Sequence, residues 1–141
     1  MIKYRFVEGP TSDVMFEAYG KTSKELFENS ALALSEVICK IKQVKPKNKI
    51  KVQVRAESLR ELLFNWLQEI IAQVDINEMF FSKFKITKIT DTTLTAELYG
   101  QPIQPELGET VVKAITRHNF TLKTPKETKN HTHKAVVVMD I

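Results

Sequence analysis

Apolar and polar residues along the first third of the chain change period twice, and each change marks an element. Tyr4, Phe6 and the β-branched Val7 predict a first strand, closed by a turn at Gly9-Pro10. From Asp13 to Tyr19, Val14, Phe16 and Ala18 alternate with Met15, Glu17 and Tyr19, the two-residue period of a strand with one buried face, and Gly20 ends it. The period then lengthens. Leu26, Phe27, Ala31, Leu34, Val37 and Ile38 recur at helical spacing and predict an amphipathic helix over 23–40. Thr22-Ser23-Lys24-Glu25 ahead of it has the form of a capping box, in which the Thr22 hydroxyl takes an orphan N–H and Glu25 reaches back.

After the polar connector Lys45-Pro46-Lys47-Asn48, Ile50, Val52 and Val54 alternate with Lys49, Lys51, Gln53 and Arg55 as a half-buried strand. Ser58-Leu59-Arg60-Glu61 is a second capping box. It opens a helix with Leu59, Leu62, Leu63, Trp66, Leu67, Ile70 and Ile71 along one stripe, where Trp66 is a core anchor whose N–H needs an acceptor. Phe80–Ile89 and Thr92–Tyr99 flank Thr90-Asp91 as a hairpin. The β pattern continues, after a loop over 100–108, in 110–116 and 120–122. Ala135-Val136-Val137-Val138-Met139 is continuously apolar, as in a central strand covered on both sides. Two helices among strands, followed by a run of strands, predict an α+β fold: one domain over 1–141, with two amphipathic helices packed on a mainly antiparallel β-sheet. No internal repeat or low-complexity tract interrupts it.

Bulk properties narrow the class. With 141 residues, 43% hydrophobic and 27% charged, the chain has ordinary globular usage. A chain of this size buries ~68–70% of its unfolded surface, enough for a core without staples. The single Cys39 excludes an internal disulfide and leaves no thiol cluster for zinc. The N-terminal residues lack the apolar stretch of a signal peptide, and no run approaches the length of a membrane span, so the expected location is cytoplasmic. A net charge of +4 permits contact with nucleic acid or an acidic partner without requiring it.

Catalytic signatures are missing. The chain has no Gly-rich phosphate loop, GxSxG elbow, HExxH or paired CxxC, and only four glycines from which to build a nucleotide cradle. Two sets of oxygen ligands are more informative. The apolar strand near the C-terminus ends in Asp140 and Ile141, where a side-chain carboxylate and a free α-carboxylate repel one another and need water, lysines or a hard cation as compensation. Thr11-Ser12-Asp13, after the Gly9-Pro10 turn, offers hydroxyls and a carboxylate suited to Ca²⁺ or Mg²⁺, or simply to a hydroxyl turn. His131 and His133 share one side of an extended chain but lack a third ligand, so a solvated loop is the better reading. Lys123, Lys126, Lys129, His131 and Lys134 form the densest basic stretch; phosphate contact is open to it, and the stretch has no aromatic residues for base stacking.

Several segments in order resemble the archease family. They are Tyr4-Arg5-Phe6, Thr11-Ser12-Asp13-Val14 with Phe16-Glu17-Ala18-Tyr19-Gly20, Glu25-Leu26-Phe27-Glu28-Asn29, Leu62-Leu63-Phe64-Asn65-Trp66-Leu67, Val112-Lys113-Ala114-Ile115-Thr116 with His118, and Asp140-Ile141. The resemblance implies an accessory protein rather than an enzyme. Its expected role is to activate a GTP-dependent RNA-splicing ligase in tRNA splicing, promoting ligase guanylylation and multiple turnover. The family also implies a chaperone-like action on a tRNA cytosine methyltransferase as an alternative. It further implies a bound divalent cation, Ca²⁺ or possibly Mg²⁺, held by Asp13, Asp140 and Ile141, with Lys113 and His118 as candidates for partner contact. Weak direct contact with tRNA is a further expectation. The family's N-terminal motif carries a His that is absent from Glu8-Gly9-Pro10-Thr11-Ser12-Asp13, so no role of that His transfers, and Arg117 stands where an aromatic residue usually precedes His118. The rival from another class is a metal-dependent RNA-processing enzyme in which Asp13 and Asp140 activate water.

Overall fold

The local signals become the elements they predict, with shifts at their ends. In a computed structural model that describes residues 2–8 and 13–141, the strands are β1 (Tyr4–Glu8), β2 (Val14–Gly20), β3 (Asn48–Arg55), β4 (Met79–Ile89), β5 (Thr93–Pro102), β6 (Ala114–Ile115), β7 (Thr121–Lys123) and β8 (His133–Asp140). The helices are α1 (Ser23–Ile38) and α2 (Leu59–Asn77). The Gly9-Pro10 turn and Thr11-Ser12 lie outside the described residues. Among those residues no helix is long and apolar enough to cross a membrane.

Thr22 accepts from the Glu25 N–H at 3.1 Å, while the Glu25 carboxylate takes the N–H of Lys21 rather than that of Thr22. Ser58 caps α2 in the same way, accepting from the Glu61 N–H at 3.2 Å. The second half of that box is not formed, because the Glu61 side chain turns to Arg60 and Arg117. α1 stops at Ile38, two residues short of the predicted end, where Cys39 leaves helical geometry and makes a β-bridge to Gly108.

The strands divide between two antiparallel sheets. One runs β1-β2-β8-β6, with β7 also paired to β8, and the other runs β3-β5-β4. α1 packs on β2 and β8 of the first sheet and on β4 of the second, while α2 packs on β3, β4 and β5 and beside β6. Together they close one hydrophobic core. β8 is the central strand its sequence predicts, but its two faces are covered unequally: Ala135, Val137 and Met139 are fully buried, while Val136 on the other face is only half-buried. The predicted strand over 110–116 shrinks to two residues, since Thr110 gives its N–H to Val37 at the end of α1 and Val111 is exposed.

One short sequence recurs in both sheets. Glu17-Ala18-Tyr19-Gly20 ends β2 and Glu97-Leu98-Tyr99-Gly100 lies in β5. In each, the tyrosine hydroxyl donates to the glutamate two residues earlier, at 2.6 Å and 2.8 Å. Each glycine also admits another main chain, for a Cβ would sit 2.3 Å from the Leu26 N at Gly20 and 1.8 Å from the Phe80 O at Gly100. Gly100→Ala is therefore expected to cost about 3 kcal/mol. A lowered urea midpoint measures this, and an unchanged midpoint contradicts it.

Candidate functional site

β2 and β8 are neighbours from Gly20↔His133 to Val14↔Met139, so their next residues, Asp13 and Asp140, meet at one end of the sheet. Side chains alternate between faces along a strand, and residues directly opposite share a face. The buried face carries Phe16, Ala18, Ala135, Val137 and Met139. Asp140 falls on the outer face with Val136 and Val138, and extending the alternation of β2 sets Asp13 on that face too. Ala114 of β6 pairs with Asp140 from its other side, and the Lys113 N–H donates to the Asp140 carbonyl at 2.8 Å.

The topology thus gathers Asp13, Asp140, Ile141 and Lys113 at the same sheet end, although Asp13 and Asp140 come from opposite ends of the sequence. Asp13 is half-buried, whereas Asp140, Ile141 and Lys113 are exposed. Among the described residues no three His, Cys, Asp or Glu side chains converge as a metal cage. Among the described residues the side chains supply two carboxylates here, to which main-chain oxygen at Ile141 can add. Two carboxylates with main-chain oxygen and water fit a hard, oxygen-seeking cation and suit neither zinc nor copper.

His118 is elsewhere. Beyond Ile115, Thr116 donates its N–H to the Val138 carbonyl, and the chain turns away through Arg117, His118 and Asn119. His118 is exposed in that turn, on the far side of β6 from Lys113. His131 and His133 do not act together, since His131 has a left-handed backbone, with φ 55°, in the bend before β8 and only His133 is in the strand. Cys39 is the small core residue its sequence suggests. Its thiol donates to the Ser35 carbonyl at 3.3 Å, and burial pushes its pKa up, so it is a poor nucleophile.

Beside His118 lies a cluster that sequence reasoning missed. Arg117 holds both oxygens of Glu61 at 2.6 and 2.7 Å, and its guanidinium lies 3.7 Å over the Phe64 ring. Arg60 bonds Glu61 at 3.0 Å and the Phe120 carbonyl at 3.1 Å, and Phe64 meets Phe120 edge to face. The guanidinium of Arg117 holds the Glu61 carboxyl below its ordinary range. The only sequence signal for this was Arg117 in a place the family usually gives to an aromatic. It packs as one, through its planar face.

Midway along the outer face, Glu17 takes the Tyr19 hydroxyl, the Arg5 Nε at 2.7 Å and the Lys134 Nζ at 3.4 Å. The Tyr19 hydrogen bond first, then Arg5 and Lys134, hold its carboxyl below the ordinary value of 4.5. This contribution to stability is complete above that value and is lost as pH falls through the lowered pKa. Glu17→Gln is thus expected to be the less stable protein near neutrality and to lose less of its stability on acidification. Urea midpoints across the acid range measure the difference, and parallel curves contradict it.

An α+β domain of two helices and two antiparallel sheets defines the class. The model of the Archease protein family (MTH1598/TM1083) matches residues 4–141, and this chain belongs to the archease family. It is 34% identical over 145 residues to the archease of Sulfurisphaera tokodaii, covering 100% of both chains. With the archease of Methanosarcina mazei it shares 34% over 145 residues, covering 99% of this chain and 96% of that one. The solution structure of Methanobacterium thermoautotrophicum protein 1598 superposes with a TM-score of 0.81 at 30% identity, over 99% of each chain. The crystal structure of an archease from Thermotoga maritima, described as a possible chaperone, shares the fold with a TM-score of 0.69 at 16% identity, over 96% and 98% of the two chains.

Proposed function

We propose that this protein is an accessory factor of a GTP-dependent RNA-splicing ligase, promoting its guanylylation and repeated turnover, with a divalent cation held at Asp13, Asp140 and Ile141. The observation that carries this reading is the register of β2 against β8, which brings the two aspartates together beside Lys113. Adjacent carboxylates repel, and a cation between them removes that cost. When bound, Ca²⁺ or Mg²⁺ supplies a positive centre with water ligands at an exposed end of the sheet. The residues of the chain do the rest. Asp13 and Asp140 anchor the centre, the Asp140 carbonyl fixes the main chain of Lys113 at 2.8 Å, and the exposed Lys113 ammonium presents a charge to the partner.

In this mechanism the protein breaks no bond. It favours the reactive conformation of the ligase, and it acts only as far as it binds that conformation more tightly than the resting one. The test is a multiple-turnover ligation assay on cleaved tRNA, with and without this protein. The expected result is that substoichiometric ligase joins many substrate equivalents only when it is present. Equal product yields overturn the reading, as does RNA cleavage or joining by this protein alone.

A further inference from the structure

The outer face of the five-stranded sheet changes character along its length. Past the aspartates comes an apolar row of Val7, Met15 and Val138, then Arg5, Glu17, Val136 and Thr121, and finally Tyr19, Lys134 and Lys123 side by side. Lys3, just ahead of β1, extends this last row, because its carbonyl accepts the Tyr19 N–H at 2.9 Å. Six residues separate the Tyr19 row from Asp13, so about 20 Å lies between the two ends. The lysine-rich stretch has no aromatic of its own, but the register sets Tyr19 between Lys134 and Lys3.

This end holds five cations, Lys3, Arg5, Lys21, Lys123 and Lys134, against the two carboxylates of Glu17 and Glu127. An ordinary solvated face intersperses both signs. Here Glu17 is taken up by Arg5, Lys134 and Tyr19, while Lys3, Lys21 and Lys123 form no ion pair among the described residues. Glu127, the other acid of the region, takes the N–H and hydroxyl of Thr124, and those bonds, with Lys123 beside them, hold its carboxyl below the ordinary range. A cleft of about 520 Å³ opens on this face, lined by Ile2, Arg5, Tyr19, Lys21, Asn130 and Thr132 and by no acidic side chain. The ring of Tyr19 lies under no cation or aromatic among the described residues. Its counterpart Tyr99, on the other sheet, is covered by the Lys83 ammonium at 4.9 Å.

We infer that this face, centred on Tyr19, binds single-stranded RNA, with the lysines and Arg5 on its phosphates and one base stacked on the Tyr19 ring. An acidic peptide would satisfy the cations, but its carboxylates offer no aromatic face to stack on the half-buried Tyr19 ring that lines the cleft. A nucleotide supplies a phosphate and a base together, and the amide of Asn130 and hydroxyl of Thr132 add neutral partners for sugar and phosphate oxygens. The site goes beyond the cation-binding end and does not depend on it.

The experiment is fluorescence anisotropy with a labelled oligouridine of about ten nucleotides. It contains no ligase and uses chelator in place of divalent cation, so its failure and that of the cation-dependent reading are told apart. Lys3→Gln with Lys123→Gln is expected to weaken binding about tenfold and to lower the slope of log K against log salt by about 1.4. Lys40→Gln with Lys42→Gln, the same loss of charge on exposed positions around the end of α1, should leave affinity within about twofold. Tyr19→Phe should bind as the parent does, and Tyr19→Leu about tenfold less tightly. The inference is overturned if oligouridine does not bind at low salt, if the two charge-matched pairs weaken it equally, or if polyglutamate competes as well as unlabelled oligouridine.

Discussion

Trp66→Ala is expected to lose about 4 kcal/mol of stability, a large part of the ~5–15 kcal/mol that holds a domain folded. Trp66 is fully buried in the second turn of α2 and lies edge to face with Phe84 of β4. Its indole N–H donates to the Phe27 carbonyl of α1 at 3.0 Å. The side chain therefore links both helices to the three-stranded sheet. Alanine opens a cavity that these rigid neighbours cannot collapse into, and it withdraws the donor from a buried carbonyl. Trp66→Phe should recover most of the packing while leaving that carbonyl without its donor, at a cost of about 2 kcal/mol. Chemical denaturation of the three proteins measures the series. If alanine and phenylalanine cost the same, the cavity is not the main term.

The second large effect concerns the aspartate pair. Calcium at a hundredfold excess over its Kd stabilises the protein that binds it by about 2.7 kcal/mol. Asp13→Asn with Asp140→Asn is expected to abolish this response and, with it, any stimulation of ligase guanylylation. The amide keeps the size of each side chain, so the change is one of charge and ligand strength. Thermal melts with calcium or with chelator give the first measurement, and guanylylation of the ligase gives the second. A double variant that still responds to calcium as the parent does contradicts the assignment of ligands. One that loses the calcium response but still stimulates the ligase removes the cation from the mechanism.

The helices were legible because their signals are local. Thr22 and Ser58 each accept from the N–H three residues on, as the pattern of hydroxyl and glutamate required. The reverse contacts were not legible, since what Glu61 prefers depends on Arg117, more than fifty residues away. The split into two sheets was hidden for a related reason: alternation tells which face of a strand is buried, never which strand lies beside it. The segment over 110–116 misled because its apolar residues read as a strand, while the end of α1 supplies the acceptor for Thr110. At the site, Asp13 and Asp140 attracted notice separately for their chemistry. Only the family resemblance joined them beforehand, and only the register, continued one step past Val14↔Met139, brings them to the same sheet end.

The position of β8 between β2 and β6 has a consequence for biosynthesis. The β1–β2 hairpin leaves the ribosome early, but the strand that completes its sheet follows more than a hundred residues later. Until then the nascent chain exposes the main-chain edge of β2, together with any apolar surface that α1 leaves uncovered. Completion of this sheet waits on the last strand and proceeds through distant contacts, which slows folding. A cell making this protein must guard an open, sticky edge until β8 has been made, and substitutions that slow the docking of β8 will lower yield before they lower the stability of the finished molecule.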